Sequence, residues 1–395
     1  MEKRSVYLDN NAATRVDPRV VEYMNGFHLD DYAVASSQFS HTPGIKAKET
    51  VDTSRQIIAD KIGAKPEEIV FTAGETESNN IALMGVATAN KDTHRDKLII
   101  SKIEHFSVMH TAERVKRHGF ELHYVDVDEE GFIDLENLES LLDERTLLVS
   151  VMHANHEVGT IQDLSAISQL AKKHRAYFHT DASYSFLQVP VDVNDCGIDL
   201  LSIDANMIHG PKGVGALYVR KGVSIEKILE GGFQENNLRP GTENVPGIAG
   251  IGRACEIYSE SDTQKVRELR DNLCKGLLSG VKDSLLNGPG DFSRRIPSNL
   301  NLSFEFIEGE SVVLHLDMRG IAVITGSACF SRALQASHIL LAMGFTHERA
   351  HGSIRFSPSK YTSREDIDYT INNVKEVVDK LRELSPVVKE NIKEV

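Results

Sequence analysis

Five polar runs in this chain each follow a short apolar, β-rich stretch: FTAGETESNN at 71–80, SKIEHFSV at 101–108, MHANHEVG at 152–159, HTDAS at 179–183 and SIDANM at 202–207. They hold groups able to move protons or bind charge, among them Glu75, His105, His153, His156, Asp181 and Asp204, with His209 just beyond. Residues so far apart act together only if a fold gathers them. The carboxyl ends of the strands of an α/β sheet are where that happens. One such run alone is a turn or a helix cap; five in one order define a site. A different chemistry is offered by Cys329 in TGSACFS, where Gly326, Ser327 and Ala328 precede the thiol. A thiolate on a small-residue loop can attack or carry sulfur, or ligate a soft metal such as an iron–sulfur cluster. Cys196, Cys255 and Cys274, the other three of four cysteines, lie in no CxxC pair or zinc-type spacing and read as structural. The strand-end histidines lack an HxxxH spacing, so they read as hydrogen-bonded pocket residues before metal ligands.

The elements that must position these groups are legible as an alternation. Between about 65 and 220, the β-rich runs EEIVFTA, KLIIS, ELHYVDV, TLLVSVM, AYFHTDA, LLSIDA and GALYVR are separated by segments of helical period. That rhythm predicts an α/β domain around a mostly parallel seven-stranded sheet. Helices are expected at 76–89, opened by Thr76 after the AGE turn, and at 165–174, opened by Ser165. From about 260 the pattern changes to a charged helix (263–281), a strand-like NLNLSFE run, further helix and a lysine- and glutamate-rich end. This predicts a smaller α+β domain. The division expected is 16–259 for the large domain, and 1–15 with 260–395 for the small one carrying Cys329.

Length and charge bound the rest. With 395 residues, 41% hydrophobic and 26% charged, two domains with ample cores are expected. No apolar run is long enough to cross a bilayer, and the start MEKRSVYLDNNAATRVDP has no continuous apolar segment, so no membrane role and a cytoplasmic location are expected. A formal charge of -14 opposes nonspecific nucleic-acid binding.

From YLDNNAAT near the start to SIRFS near the end, the chain resembles the NifS/IscS-type cysteine desulfurases of the class V aminotransferase family. The matching runs include FTAGETESNN, EHFSV, NHEVGTIQ, HTDA, GPKGVGALYVR, ENNLRPGTEN, TGSAC and SIRFS. The resemblance implies a fold-type I pyridoxal-phosphate-dependent transferase working as a homodimer in sulfur transfer and iron–sulfur assembly. It implies that Thr76 and its helix start hold the cofactor phosphate, that His105 stacks on the pyridine ring and that Asp181 pairs with the ring nitrogen. It further implies that Asn155 bonds the ring hydroxyl, Thr242 reaches a phosphate from the partner subunit, Arg355 clamps the substrate carboxylate and Cys329 carries persulfide sulfur.

One stretch departs from the pattern. Where the family has Ser, any residue, His and then the imine lysine before GPKG, this chain has Asp204, Ala205, Asn206 and Met207. A thioether forms no imine and moves no proton. Asp204 puts an anion where a hydroxyl would meet the phosphate, while Tyr184 and His156 stand for the family's usual glutamine and asparagine and Glu75 adds a carboxylate. Lys212, in GPKG, is present beside the proper lysine in the family and is not expected to replace it. The expectation is a desulfurase-like protein without the normal pyridoxal chemistry, its cofactor absent or noncovalent. It would present Cys329 to an iron–sulfur scaffold protein as sulfur acceptor or cluster ligand. The alternatives are a desulfurase using noncovalent cofactor, or a metal-binding or regulatory protein on the same fold.

Overall fold

The structure, a computed structural model, describes residues 4–326 and 336–384. The chain opens with a two-residue strand, β1 (Val6–Tyr7), and then builds seven strands of one sheet: β2 (Ile69–Thr72), β3 (Lys97–Ser101), β4 (Glu121–Val125), β5 (Thr146–Ser150), β6 (Tyr177–Asp181), β7 (Leu200–Asp204) and β8 (Gly215–Val219). Their spatial order is β2-β8-β7-β6-β5-β3-β4. The pairs from β4 to β7 are parallel, and β8 runs antiparallel between β7 and β2.

Side chains of a strand alternate between faces, and here both faces are apolar because both are covered. Ile69, Phe71, Ile99, Val149, Phe178, Leu201 and Ile203 point to a core shared with the helices Thr42–Ile62, Leu164–Lys173 and Val245–Ile257. Val70, Leu98, Ile100, Leu148, Leu200 and Leu217 point to the other core, against 81–87 and the helix Phe106–Arg117. Burying a Leu or Ile side chain contributes about 1.5–3 kcal/mol. The two faces together therefore hold the strand ends rigidly in register.

A third core joins Val6 and Leu8 to residues from Leu269 to Val378. Its sheet consists of β9 (Ser284–Asn287), β10 (Leu300–Phe304) and, beyond the short β11 (Ile321–Ala322) that pairs with β1, β12 (Ser353–Phe356). The order is β12-β10-β9, all antiparallel. Helices Glu260–Gly280 and Arg364–Leu384 pack with it. β12 carries Arg355, and the bridge from Asp9 to Ser357 brings the N-terminal segment beside it. Among the described residues, no helix is long and apolar enough to cross a membrane.

Candidate functional site

A cavity of about 1350 Å³ opens at the carboxyl ends of β2, β6 and β7. Its lining includes Glu75, Thr76, His105, His156, Tyr184, Asp204, Met207 and Arg355, drawn from both halves of the fold.

The turn after β2 sets its inner end. Gly74 has φ +139°, a left-handed backbone that a side chain resists, and a Cβ there would lie 2.8 Å from Asp204 Oδ2. The helix Glu75–Asn80 starts at once and continues through a π-helical turn, Ile81–Gly85, into Val86–Ala89. Gly74 has no side chain with which to cap this helix. The carboxylate of Asp204 does so from β7: Oδ2 accepts the Glu75 N–H at 3.2 Å, and Oδ1 accepts the Asn206 N–H at 2.6 Å. An acceptor at a helix start meets unpaired N–H groups and the positive end of the peptide dipoles. Burial nevertheless holds the Asp204 carboxyl above its ordinary range.

Asp181 is nearby, at the end of β6. Its oxygens accept from the Asn79 side-chain amide at 2.7 Å and the Ser183 N–H at 2.9 Å. Glu75 has one oxygen 3.3 Å from His105 Nδ1 and the other buried without a hydrogen-bond partner. Burial first, and then Asp181 and Asp204, drive its carboxyl well above the usual range. His105 caps the Phe106–Arg117 helix by accepting the Ser107 N–H, and its imidazole is lowered by burial. The ring of His156 stands 5.3 Å from that of His105 and nearly perpendicular to it, and stacks on Tyr184 at 5.3 Å. Burial lowers His156 and raises Tyr184, the latter helped by Glu75.

Met207 lies on the turn Asn206–Ile208, its side chain against the small apolar cluster of Ala154, Tyr184 and Ile296. Asn206 pins this turn to the N-terminal segment: its carbonyl and its side-chain oxygen both accept from Thr14, the latter from the Thr14 N–H at 3.0 Å. Lys212 does not line the cavity; its ammonium donates to the Thr14 carbonyl at 2.8 Å.

Arg355 is 5% exposed and donates to Asp9 Oδ1 at 3.0 Å and to the His156 carbonyl at 3.4 Å. Asp9 sits in the YLDNNAAT run but was not singled out by sequence; only the fold shows that it faces Arg355. Asn155 is fully buried and does not line the cavity. Its amide donates to the Ile103 carbonyl, and its oxygen accepts the Glu157 and Val158 N–H groups, all within 3.0 Å. Thr242 lies apart, in a depression with Phe71, Glu235 and Arg239, where Glu235 forms a two-pronged pair with Arg55 at 2.7 Å. Cys329 lies outside the described residues. Those that flank its segment meet Glu157: Ser337 Oγ donates to it at 2.7 Å, and a Cβ on Gly326 would collide with its other oxygen. Among the described residues, no group of three or more His, Cys, Asp or Glu is disposed to hold a metal ion.

A mostly parallel α/β sheet accompanied by a small antiparallel sheet, with a cavity lined from both, is the plan of the fold-type I transferases. The class-V aminotransferase family matches residues 6–370. The chain is 45% identical over 391 residues to the cysteine desulfurase IscS of Dictyoglomus turgidum, covering 98% of each chain. It is 44% identical over 386 residues to cysteine desulfurase IscS 1 of Archaeoglobus fulgidus, covering 96% of this chain and 99% of that one. Among solved structures, a NifS-like protein aligns with a TM-score of 0.88 at 38% identity, over 96% of this chain and all of the other. The NifS-like protein of Rickettsia africae gives 0.84 at 30%, over 95% and 100%. The chain therefore belongs to the class-V aminotransferases, within the IscS/NifS cysteine desulfurases.

That family is pyridoxal-phosphate-dependent, and the residues present here do not fit the cofactor. The Glu75 N–H at the start of the expected phosphate helix is already bonded to Asp204, and Glu75 and Asp181 add two more carboxylates around it. Two unit charges of like sign about 4 Å apart repel by roughly 4 kcal/mol at an effective dielectric near 20. No amine stands at position 207 to offset this with a covalent bond.

Proposed function

We propose that this chain is a sulfur-transfer protein of the desulfurase type that works without imine-linked pyridoxal phosphate, presenting Cys329 to an iron–sulfur scaffold protein as sulfur acceptor or cluster ligand. The observation that carries this reading is the Asp204 carboxylate bonded to the Glu75 N–H, together with Met207 on the adjoining turn. The retained fold supports a homodimer, with the segment around Thr242 reaching the partner's cavity. It also supports a division into 16–259, and 1–15 with 260–395; a cytoplasmic setting belongs to the same reading. A thiolate needs no cofactor to accept sulfane sulfur or bind iron, so the loss of the imine lysine leaves this chemistry open.

The test is transfer of labelled sulfur, or of a preformed cluster, to a purified scaffold. Cys329→Ser should abolish transfer while dimerisation and docking persist. Transfer that survives the substitution overturns the role of Cys329. A visible absorption band retained through gel filtration after addition of pyridoxal phosphate would favour instead a desulfurase using the cofactor noncovalently.

A further inference from the structure

Three carboxylates, Glu75 and Asp204 lining the inner end of the cavity and Asp181 buried near them, differ in how fully their lone pairs are used. Asp181 and Asp204 each accept two hydrogen bonds from the chain, one on each oxygen. Glu75 is less well served: one oxygen stands 3.3 Å from His105 Nδ1, and the other is buried with no bond in good geometry, although the Ser183 hydroxyl, itself unpartnered, acts on the same carboxyl. An independent observation comes from Tyr184, which is 7% exposed and lines the same cavity, its ring stacked on His156. Glu75 is the charged group that acts most strongly on that phenol. A buried carboxyl oxygen is costly to leave unmade, by about 1–3 kcal/mol. The Glu75 oxygen therefore calls for a hydrogen-bonding group, and the Tyr184 phenol lines the same cavity. Beside Asp181 and Asp204 that group is favoured if it is positive and carries several donors, which describes an ammonium and excludes a phosphate.

We propose that this corner of the cavity is an amine site, in which Glu75 is the charge partner and the Tyr184 oxygen a neutral acceptor for the ammonium of a small ligand. Two sources share this chemistry, a simple amine and the α-ammonium of an amino acid. They differ in whether a carboxylate is present to reach Arg355, whose Nε is also buried without a partner. The inference rests on the reading that no phosphate-bearing cofactor fills this end, and is independent of Cys329.

The experiment is calorimetric titration of the intact protein with propylamine, L-alanine and propionate, and separately with pyridoxal phosphate followed by absorbance. The two amine-bearing probes should bind and propionate should not. Glu75→Gln should weaken the amines about tenfold or more, the loss expected for one charged hydrogen bond. Tyr184→Phe, which keeps the ring and its stacking, should weaken them about threefold to tenfold. Tighter binding of L-alanine than of propylamine would assign the site to an amino acid, and equal binding to a simple amine. Amines that do not bind, or bind the Glu75→Gln protein equally well, overturn the proposal while leaving the cofactor reading intact. Tight uptake of pyridoxal phosphate would instead overturn the cofactor reading on which it rests.

Discussion

Asp204 and Glu75, 129 residues apart, are joined by a 3.2 Å hydrogen bond in which the side chain of one caps the backbone of the other. Where the resemblance leads one to expect a hydroxyl, the strand delivers a carboxylate to the start of the helix after β2.

Met207→Lys alone should not produce a pyridoxyl-lysine after addition of pyridoxal phosphate and borohydride reduction, because Asp204 still occupies the helix start. The triple change Met207→Lys, Asp204→Ser, Asn206→His should produce it. Peptide mapping by mass spectrometry reads the result at residue 207. A stoichiometric adduct from the single change would show that the repulsion is weaker than roughly 4 kcal/mol per charge pair.

Glu104 makes stability depend on pH. It is fully buried, one oxygen accepting the Met152 N–H at 2.7 Å and the other unpartnered, and burial drives its carboxyl well above the ordinary range. The folded protein thus keeps a proton that the unfolded chain releases near pH 4–5. This contribution is complete below that pH and fades as pH rises through the raised folded value. Thermal melts from about pH 5 to about pH 8 should show wild type losing ground to Glu104→Gln as pH increases. A difference that is constant across this range would refute the assignment.

Arg355→Ala should destabilise the protein by about 2–4 kcal/mol in urea unfolding, since it leaves the Asp9 carboxylate without its cation in a largely buried site. Asp9→Asn should cost less, because Arg355 keeps its bond to the His156 carbonyl. Equal costs would point to lost packing as the main term.

Iodoacetamide should label Cys329 ahead of Cys255 and Cys274 in the native protein. Burial pushes the Cys255 thiol up to about 12 and the Cys274 thiol up to about 11, so little thiolate is present at neutral pH. Time-resolved mass spectrometry gives the order, and early modification of Cys255 would contradict it.

The strands were legible because each is a short apolar run bounded by polar residues; KLIIS, read from sequence, is β3 residue for residue. The helix after β2 was placed at 76–89 and begins one residue earlier, with a π-helical turn that a periodicity of 3.6 does not reveal. The helix expected at 263–281 runs from Glu260 to Gly280. Residue types at the site were legible too, including the carboxylate at 204 and the thioether at 207. What they bond to was not. Sequence gave Asp204 as an obstacle to phosphate but could not show that the chain's own Glu75 amide would be its partner. It likewise pointed Asn155 at a ligand, whereas that amide is consumed by three backbone groups and the Met152 sulfur. Such pairings depend on where two distant loops meet, and neither loop's local pattern encodes the other.

The start of the helix after Gly74 is capped by the chain's own Asp204, an amino acid that the ribosome supplies. Folding of the turn at Gly74 therefore need not wait for a small molecule to arrive, and newly made chains can mature at the rate of translation. If the chain holds no pyridoxal phosphate, the level and half-life of this protein should stay unchanged in cells starved of vitamin B6.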